Sequence, residues 1–177
     1  MSADALQAEQ QHLAVLLEAI QRCVFFLDAS DQKIVWPLTS EHLENHKKDI
    51  ALFESLSSIN ERFSKLQDTL GAALRHAAIL SGEQSDIFLK TLSFYEKAGI
   101  IESIESWQLC RTTRNLAAHD YGINYAEISD HFNALHVLIP VLYGNARRFV
   151  QYCCESLGVT PVHGEFAESF QFVTKIE

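Results

Sequence analysis

The side chains best suited to catalysis crowd into one short segment, residues 114–121. An arginine such as Arg114 can hold a phosphate through two parallel hydrogen bonds, and it stays charged at any relevant pH. A histidine such as His119 can take up a proton near neutral pH and return it. The hydroxyl of Tyr121 adds a nucleophile or a hydrogen-bond donor. Together these groups are the minimum needed to cleave a phosphodiester without a metal.

The spacing of these residues predicts on which side of a helix each side chain lies. On an ideal helix Arg114 and Tyr121, seven residues apart, lie nearly on one face. Arg114 and His119 are five residues apart and therefore about 140° apart around the axis. Within one protomer the side chains of Arg114 and His119 therefore form no tight pair, unless the helix ends there or a second protomer completes the site.

Chance accounts poorly for the full pattern. With 8 His in the chain, an Arg followed five residues later by His is expected about 0.3 times at random. Requiring Tyr two residues after the His lowers this expectation to about 0.01, because the chain has only 5 Tyr. The longer pattern is therefore informative.

The pattern resembles the signature of a known superfamily. The chain matches R-x4-H-x-Y, with a polar residue after the Arg, at Arg114, Asn115, His119 and Tyr121. It is similar in this to the HEPN superfamily of small helical bundles, and more narrowly to the toxin of HEPN/MNT toxin–antitoxin pairs. The specific part of the resemblance covers these eight residues and the long helix that follows.

The resemblance implies a homodimer in which two motifs face each other across the two-fold axis. It implies RNA cleavage without metal or cofactor, by attack of the ribose 2′-hydroxyl on the adjacent phosphorus, leaving a cyclic phosphate and a 5′-hydroxyl. His119 would act as acid and base, and Arg114 would stabilise charge on the pentavalent phosphorus. Asn115 would orient the histidine or the phosphate, and Asp120 is a supporting residue. Candidate contacts to RNA phosphates are Arg111, Arg147 and Arg148.

The narrower family also implies a protein partner, a cognate MNT-type nucleotidyltransferase antitoxin that adenylylates the motif tyrosine, here Tyr121. The alternative function is a non-catalytic helical binding subunit that partners such a transferase and is adenylylated on Tyr121. A third possibility is a purely structural helical dimer without a site.

Ordinary structural roles compete with each of these assignments. Arg114 could pair with Asp120 or Glu127 at a helix end, where His119 would also be favoured. Tyr121 could be a buried tyrosine with a bonded hydroxyl. Arg147 and Arg148 read by default as an exposed basic pair.

Charge is unevenly distributed along the chain, whose net charge is −9. Residues 1–107 carry −7 and residues 151–177 carry −3, whereas residues 108–150 carry +1. The net charge disfavours indiscriminate nucleic-acid binding. The motif nevertheless lies in the one segment that is not acidic.

The composition, 47% hydrophobic with only 7 Gly and 3 Pro, favours an all-α fold over many short strands. We predict a HEPN-like bundle of four or five helices over residues 1–158. The weakly patterned tail over residues 159–177 should pack loosely or pair with a partner. The predicted helices span residues 5–27, 40–79, 85–97, 103–119 and 125–156. The second should bend or break near Ser57-Ser58 or Gly71, and the last should be kinked at Pro140. Leu109 is among the predicted core residues.

Other candidate sites are weaker. His42 and His46 lie four apart on one helix face but lack an evident third ligand, so a solvated pair is favoured over zinc. His131 and His136 read as ordinary surface or core residues.

The four Cys fall inside predicted helices, as is typical of reduced, buried thiols, which favours the cytoplasm. The chain start lacks the features of a signal peptide, and no stretch is long enough to span a membrane.

Overall fold

The computed structural model describes residues 3–83, 85–116 and 124–175. These residues form seven helices and no strand, so the all-α prediction is confirmed. The helices are α1 (Ala3–Asp31), α2 (Ser40–Asn45), α3 (Ile50–Leu80), α4 (Phe88–Lys97), α5 (Ile104–Leu116), α6 (Tyr125–Leu157) and α7 (Ala167–Val173). In this part of the chain, no helix combines the length and the apolar character needed to cross a membrane.

The core lies between the three long helices, α1, α3 and α6, and α1 and α3 form the largest helix pair. Apolar residues recur along α3 at three- and four-residue steps, so that one stripe of the helix faces its neighbours. The fully buried residues of this stripe include Leu56, Ile59, Phe63, Leu66 and Leu70. Each such side chain contributes roughly 1.5–3 kcal/mol through its removal from water.

The predicted second helix is divided, but at a different place from the one expected. The chain leaves the helix at residues 46–49, between α2 and α3, and α3 then runs unbroken to Leu80. Asp49 starts the new helix, because its Oδ1 accepts a hydrogen bond from the amide of Leu52 at 3.0 Å. Thr39 caps α2 in the same way through the amide of His42, at 3.1 Å.

Both places where a bend or break was predicted lie inside α3, so the predicted break is wrong, and a bend stays a prediction. The hydroxyl of Ser58 accepts a hydrogen bond from Ser30 of α1 at 3.0 Å. Gly71 faces Phe88 and Trp107, where a Cβ atom would lie 3.5 Å from each ring. These distances are ordinary van der Waals contacts, so Gly71 lies where α4 and α5 pack against α3.

Helix α5, which carries Arg114, is fixed to α3 by a buried hydrogen bond. The side-chain nitrogen of Gln67 donates to the carbonyl of Trp107 at 2.8 Å. Trp107 and Cys110 are buried, as predicted, whereas Leu109 is 53% exposed, so its assignment to the core is wrong. Leu109 lies on the opposite side of the helix from Trp107.

The long helix α6 matches the predicted span to within one residue at its end. Asn124 caps its start by accepting from the amides of Ala126 and Glu127, and Gly158, with φ 66°, ends it in a left-handed conformation. Pro140 lies within the helix and does not divide it. A kink at this residue stays a prediction.

Residues 159–175 pack more closely than expected. Val159 and Phe170 are buried, and α7 lies against α1. Glu18 of α1 fixes the turn before α7, because its carboxylate accepts from the amides of His163 and Gly164 at 3.1 and 2.9 Å. The expectation of a loosely packed tail is therefore wrong.

This attachment gives a stability prediction with a matched control. Phe170 is 3% exposed, so Phe170→Ala should lower the free energy of unfolding by about 3–5 kcal/mol through lost burial and a cavity. Phe172, two residues later, is 78% exposed, and Phe172→Ala should change stability by less than about 0.5 kcal/mol. Urea denaturation measures both values. Equal stability of the two variants would contradict the packing of α7.

Candidate functional site

Arg114 lies in the last turn of α5 and turns its guanidinium towards α3. Its Nη1 donates to the carbonyl of Ser64 at 2.8 Å and forms an ion pair with Asp68, whose Oδ1 lies 2.7 Å away. The side chain of Arg114 is only 14% exposed, whereas that of Asp68 is 64% exposed. Among the described residues the ion-pair partner of Arg114 is therefore Asp68, and Glu127, one of the two partners considered from the sequence, does not fill this role.

The rest of the guanidinium has no partner in the described part of the chain. Nε of Arg114 is buried without an acceptor, and the bonds of the side chain all start from Nη1. A buried donor without an acceptor costs free energy, because it has lost its bonds to water and gained none. Arg114 thus retains hydrogen-bonding capacity that the described residues do not use.

The neighbours of Arg114 on α5 divide between two faces. Trp107, Cys110 and Arg114 follow one another at steps of three and four residues and point inward. Arg111 and Asn115, four residues apart, lie on the exposed face. The structure therefore places Asn115 and Arg111 towards solvent and Arg114 towards α3.

His119, Asp120 and Tyr121 lie outside the described residues, as does the end of the predicted 103–119 helix. The distance between the guanidinium of Arg114 and the imidazole of His119 stays a matter of prediction. So does the pairing of Arg114 with Asp120. The described part of the motif is Arg114, Asn115 and the backbone of Leu116.

Arg147 and Arg148 are half-buried, so their interpretation as an exposed basic pair is wrong. Nη1 of Arg147 donates to the carbonyl of Thr174 at 3.2 Å, and Nε of Arg148 donates to the carbonyl of Ile100 at 2.9 Å. Both guanidinium groups satisfy main-chain acceptors that would otherwise lack partners. Of the three candidate RNA contacts only Arg111 is fully exposed.

Arg148 also helps to position the start of α5. Its Nη2 donates to Oδ1 of Asn145 at 2.9 Å, and the same oxygen accepts from the amide of Glu102 at 2.8 Å. The loop before α5 is thus held to α6 at both Ile100 and Glu102. Through this loop, α6 fixes the direction in which α5 carries Arg114.

A second polar cluster, which sequence reasoning missed, joins α1 to α6. Nδ1 of His136 lies 2.8 Å from Oδ1 of Asp31, and the imidazole stacks on the indole of Trp36 with ring centroids 4.3 Å apart. Burial raises the pKa of Asp31, and the hydrogen bond from His136 opposes that rise. Asp31 and His136 are 105 positions apart in the sequence, so no local pattern indicates the pair.

The described histidines at positions 42, 46 and 131 contact groups that suggest no catalytic role. His131 lies 3.4 Å from Oδ1 of Asn60, and burial lowers its pKa, so the neutral ring is favoured. The rings of His42 and His46 stack, and His46 bonds the carbonyl of His42 at 2.8 Å. In residues 3–83, 85–116 and 124–175 no three His, Cys, Asp or Glu side chains are grouped so as to hold a metal ion.

Three of the four cysteines are buried, namely Cys23, Cys110 and Cys153, and Cys154 is exposed, contrary to expectation. All four are free thiols. Burial raises the pKa of Cys110 to about 12, so this thiol stays protonated at neutral pH and is a poor nucleophile.

A surface groove of the described part of the chain is lined by residues that do not include Arg114. It has a volume of about 590 Å³ and is formed where α2 meets the first turns of α3. Lys47 and Lys48 line it together with the acidic Glu54 and Glu61. Since its charges are mixed and the motif contributes nothing to it, the groove gives no support to a phosphate site.

No protein-family model, no curated protein and no solved structure matches this chain.

Proposed function

We propose that this protein is the toxin of a toxin–antitoxin pair and acts as a metal-independent endoribonuclease. The observation that carries the proposal is the pattern R-x4-H-x-Y at residues 114–121 of an all-helical chain. The described geometry supports it at one point, since Arg114 has donors that α3 does not use.

In the proposed reaction the 2′-hydroxyl oxygen of a ribose forms a bond to the adjacent phosphorus, and the bond from phosphorus to the 5′ oxygen breaks. One His119 imidazole accepts the proton of the 2′-hydroxyl, and a second imidazole gives a proton to the leaving 5′ oxygen. Arg114 stabilises the charge on the pentavalent phosphorus. The products are a 2′,3′-cyclic phosphate and a 5′-hydroxyl, and no metal takes part.

The proposed active form is a homodimer, because two imidazoles are required and one chain supplies one motif. A predicted angle of about 140° between Arg114 and His119 on one helix also favours a site completed by a second copy. Exposed apolar side chains are available on the two helices that flank the motif, Leu109 on α5 at 53% and Val137 on α6 at 71%. Covering such residues would favour association.

The proposed protein partner is an MNT-type nucleotidyltransferase that adenylylates Tyr121. Adenylylation would add bulk and negative charge beside the proposed phosphate site and so exclude RNA.

The second candidate function is a non-catalytic subunit that binds the same transferase. It is favoured by the net charge of −9 and by the contacts that occupy Arg147 and Arg148, since both weaken RNA binding. The two candidates differ in whether the protein alone destroys RNA.

Induced expression tests the proposal in cells. Wild-type protein should arrest growth and produce RNA fragments with 5′-hydroxyl ends, whereas the Arg114→Ala/His119→Ala double variant should do neither. Co-expression of a transferase that modifies Tyr121 should restore growth. Equal arrest by wild type and the double variant would contradict the proposal, and so would unimpaired growth with abundant wild-type protein.

A further inference from the structure

Asp68 and Ser64 hold the same nitrogen of Arg114 from one face of α3. They are four residues apart, so they lie one helical turn from each other. The carbonyl of Ser64 and Oδ1 of Asp68 lie 2.8 and 2.7 Å from Nη1 of Arg114. The guanidinium is mostly covered, but the Asp68 side chain is 64% exposed. The pair therefore reaches the protein surface at its acidic end.

A carboxylate oxygen at this distance takes the place that a phosphate oxygen would occupy. Both are anionic acceptors, and both bind an arginine nitrogen at about 2.7–2.9 Å. We infer that the Asp68 carboxylate competes with the RNA phosphate for Arg114, so that Asp68 weakens substrate binding at the site. This inference rests on the proposed function, in which Arg114 binds that phosphate.

The hydrogen-bond inventory of Arg114 allows the exchange. Nη1 has two N–H groups, so it can keep its bond to the Ser64 carbonyl while Asp68 is replaced. Nη2 has no partner among the described residues and can supply the second bond of a bidentate contact. A phosphate would thus gain two bonds where Asp68 makes one.

The strength of the ion pair between Arg114 and Asp68 determines how much RNA binding should change when Asp68 is replaced. Since Asp68 is largely exposed, water screens the pair, and such pairs shift an equilibrium by about fivefold or less. An ionised Asp68 that remained beside the phosphate would also repel it. Removing its charge should therefore strengthen RNA binding.

The test compares Asp68→Asn with wild type in RNA cleavage and in binding of an RNA that lacks 2′-hydroxyl groups. The KM for cleavage and the Kd of the non-cleavable RNA should each fall by about fivefold, with kcat changed by less than about twofold. Glu54→Gln is the matched control, because it removes the same charge from an exposed position of α3 and should leave both constants within about twofold. A misfolded variant would lose affinity for RNA, so misfolding cannot explain a gain in affinity.

Three results separate this inference from the proposed function. An unchanged or increased KM in Asp68→Asn, with motif-dependent cleavage intact, would overturn the competition alone. A loss of kcat in Asp68→Asn that Asp68→Glu restores would also overturn it, since Asp68 would then position Arg114 for the reaction. If Arg114→Ala cleaves RNA as fast as wild type, it is the proposed function that fails.

Discussion

Replacing His119 by alanine should lower the rate of RNA cleavage by about 10²–10⁴-fold, since the variant has no group to move the proton of the 2′-hydroxyl. Binding of RNA should change little, because the imidazole acts in the transition state and adds little to ground-state affinity. Initial rates at saturating RNA in excess chelator measure the loss as a change in kcat.

The matched control for this variant is His163→Ala. His163 is exposed, and its contact with Glu18 is made by its backbone amide, which the substitution keeps. This control should cleave RNA at the wild-type rate. A His119→Ala enzyme that keeps more than about a tenth of the wild-type kcat would show that His119 is not the acid or base of the reaction.

Replacing Arg114 by alanine should lower kcat/KM by about 10²–10³-fold, because the guanidinium stabilises charge that develops at phosphorus. Arg114→Lys should recover only part of the loss, since an ammonium group lacks the planar pair of donors. The substitution also breaks the pair with Asp68 and the bond to the Ser64 carbonyl, and the Arg114 side chain is mostly buried, so the free energy of unfolding should fall by about 1–3 kcal/mol. Urea denaturation of the same variant separates a catalytic loss from unfolding.

Arg111→Ala is the control for Arg114→Ala. Both residues are arginines of α5, but Arg111 is exposed and Arg114 is bonded to α3. Loss of Arg111 should raise KM slightly and reduce the salt dependence of RNA binding by about one phosphate contact, with kcat unchanged. Equal effects of the two variants would mean that Arg114 contributes only its charge.

Long helices were predictable from the sequence because their apolar spacing is uninterrupted. Helix α6 shows this, since its residues between Tyr125 and Leu157 repeat at helical steps and Asn124 is a good cap. The breaks were harder to locate. Ser57, Ser58 and Gly71 disfavour a helix locally, yet all three lie inside α3, where Ser58 contacts α1 and Gly71 faces Phe88 and Trp107. Local propensity and long-range packing point in opposite directions there.

The attachment of residues 159–175 was missed for a related reason. Helix α7 has only seven residues, too few to show a repeating pattern, and Phe170 alone marks its buried side. The bond between Glu18 and Gly164, in the turn before α7, joins residues more than a hundred positions apart. No pattern within the segment indicates such a contact.

The types of the candidate site residues were predictable, but their partners were not. Spacing suggested Asp120 or Glu127 for Arg114, because both are near in sequence. The observed partner, Asp68, becomes a neighbour only when α5 packs against α3 through Gln67 and Trp107. Ion pairs between residues this far apart in the sequence depend on the tertiary structure.

The most direct measurement of the central claim is the chemistry of the RNA ends that purified wild-type protein leaves in excess chelator. Attack by the 2′-hydroxyl predicts fragments with a 2′,3′-cyclic phosphate and a 5′-hydroxyl, formed at the same rate with and without EDTA. Fragments with 5′-phosphate and 3′-hydroxyl ends, or RNA that stays intact once metals are removed, would contradict the account.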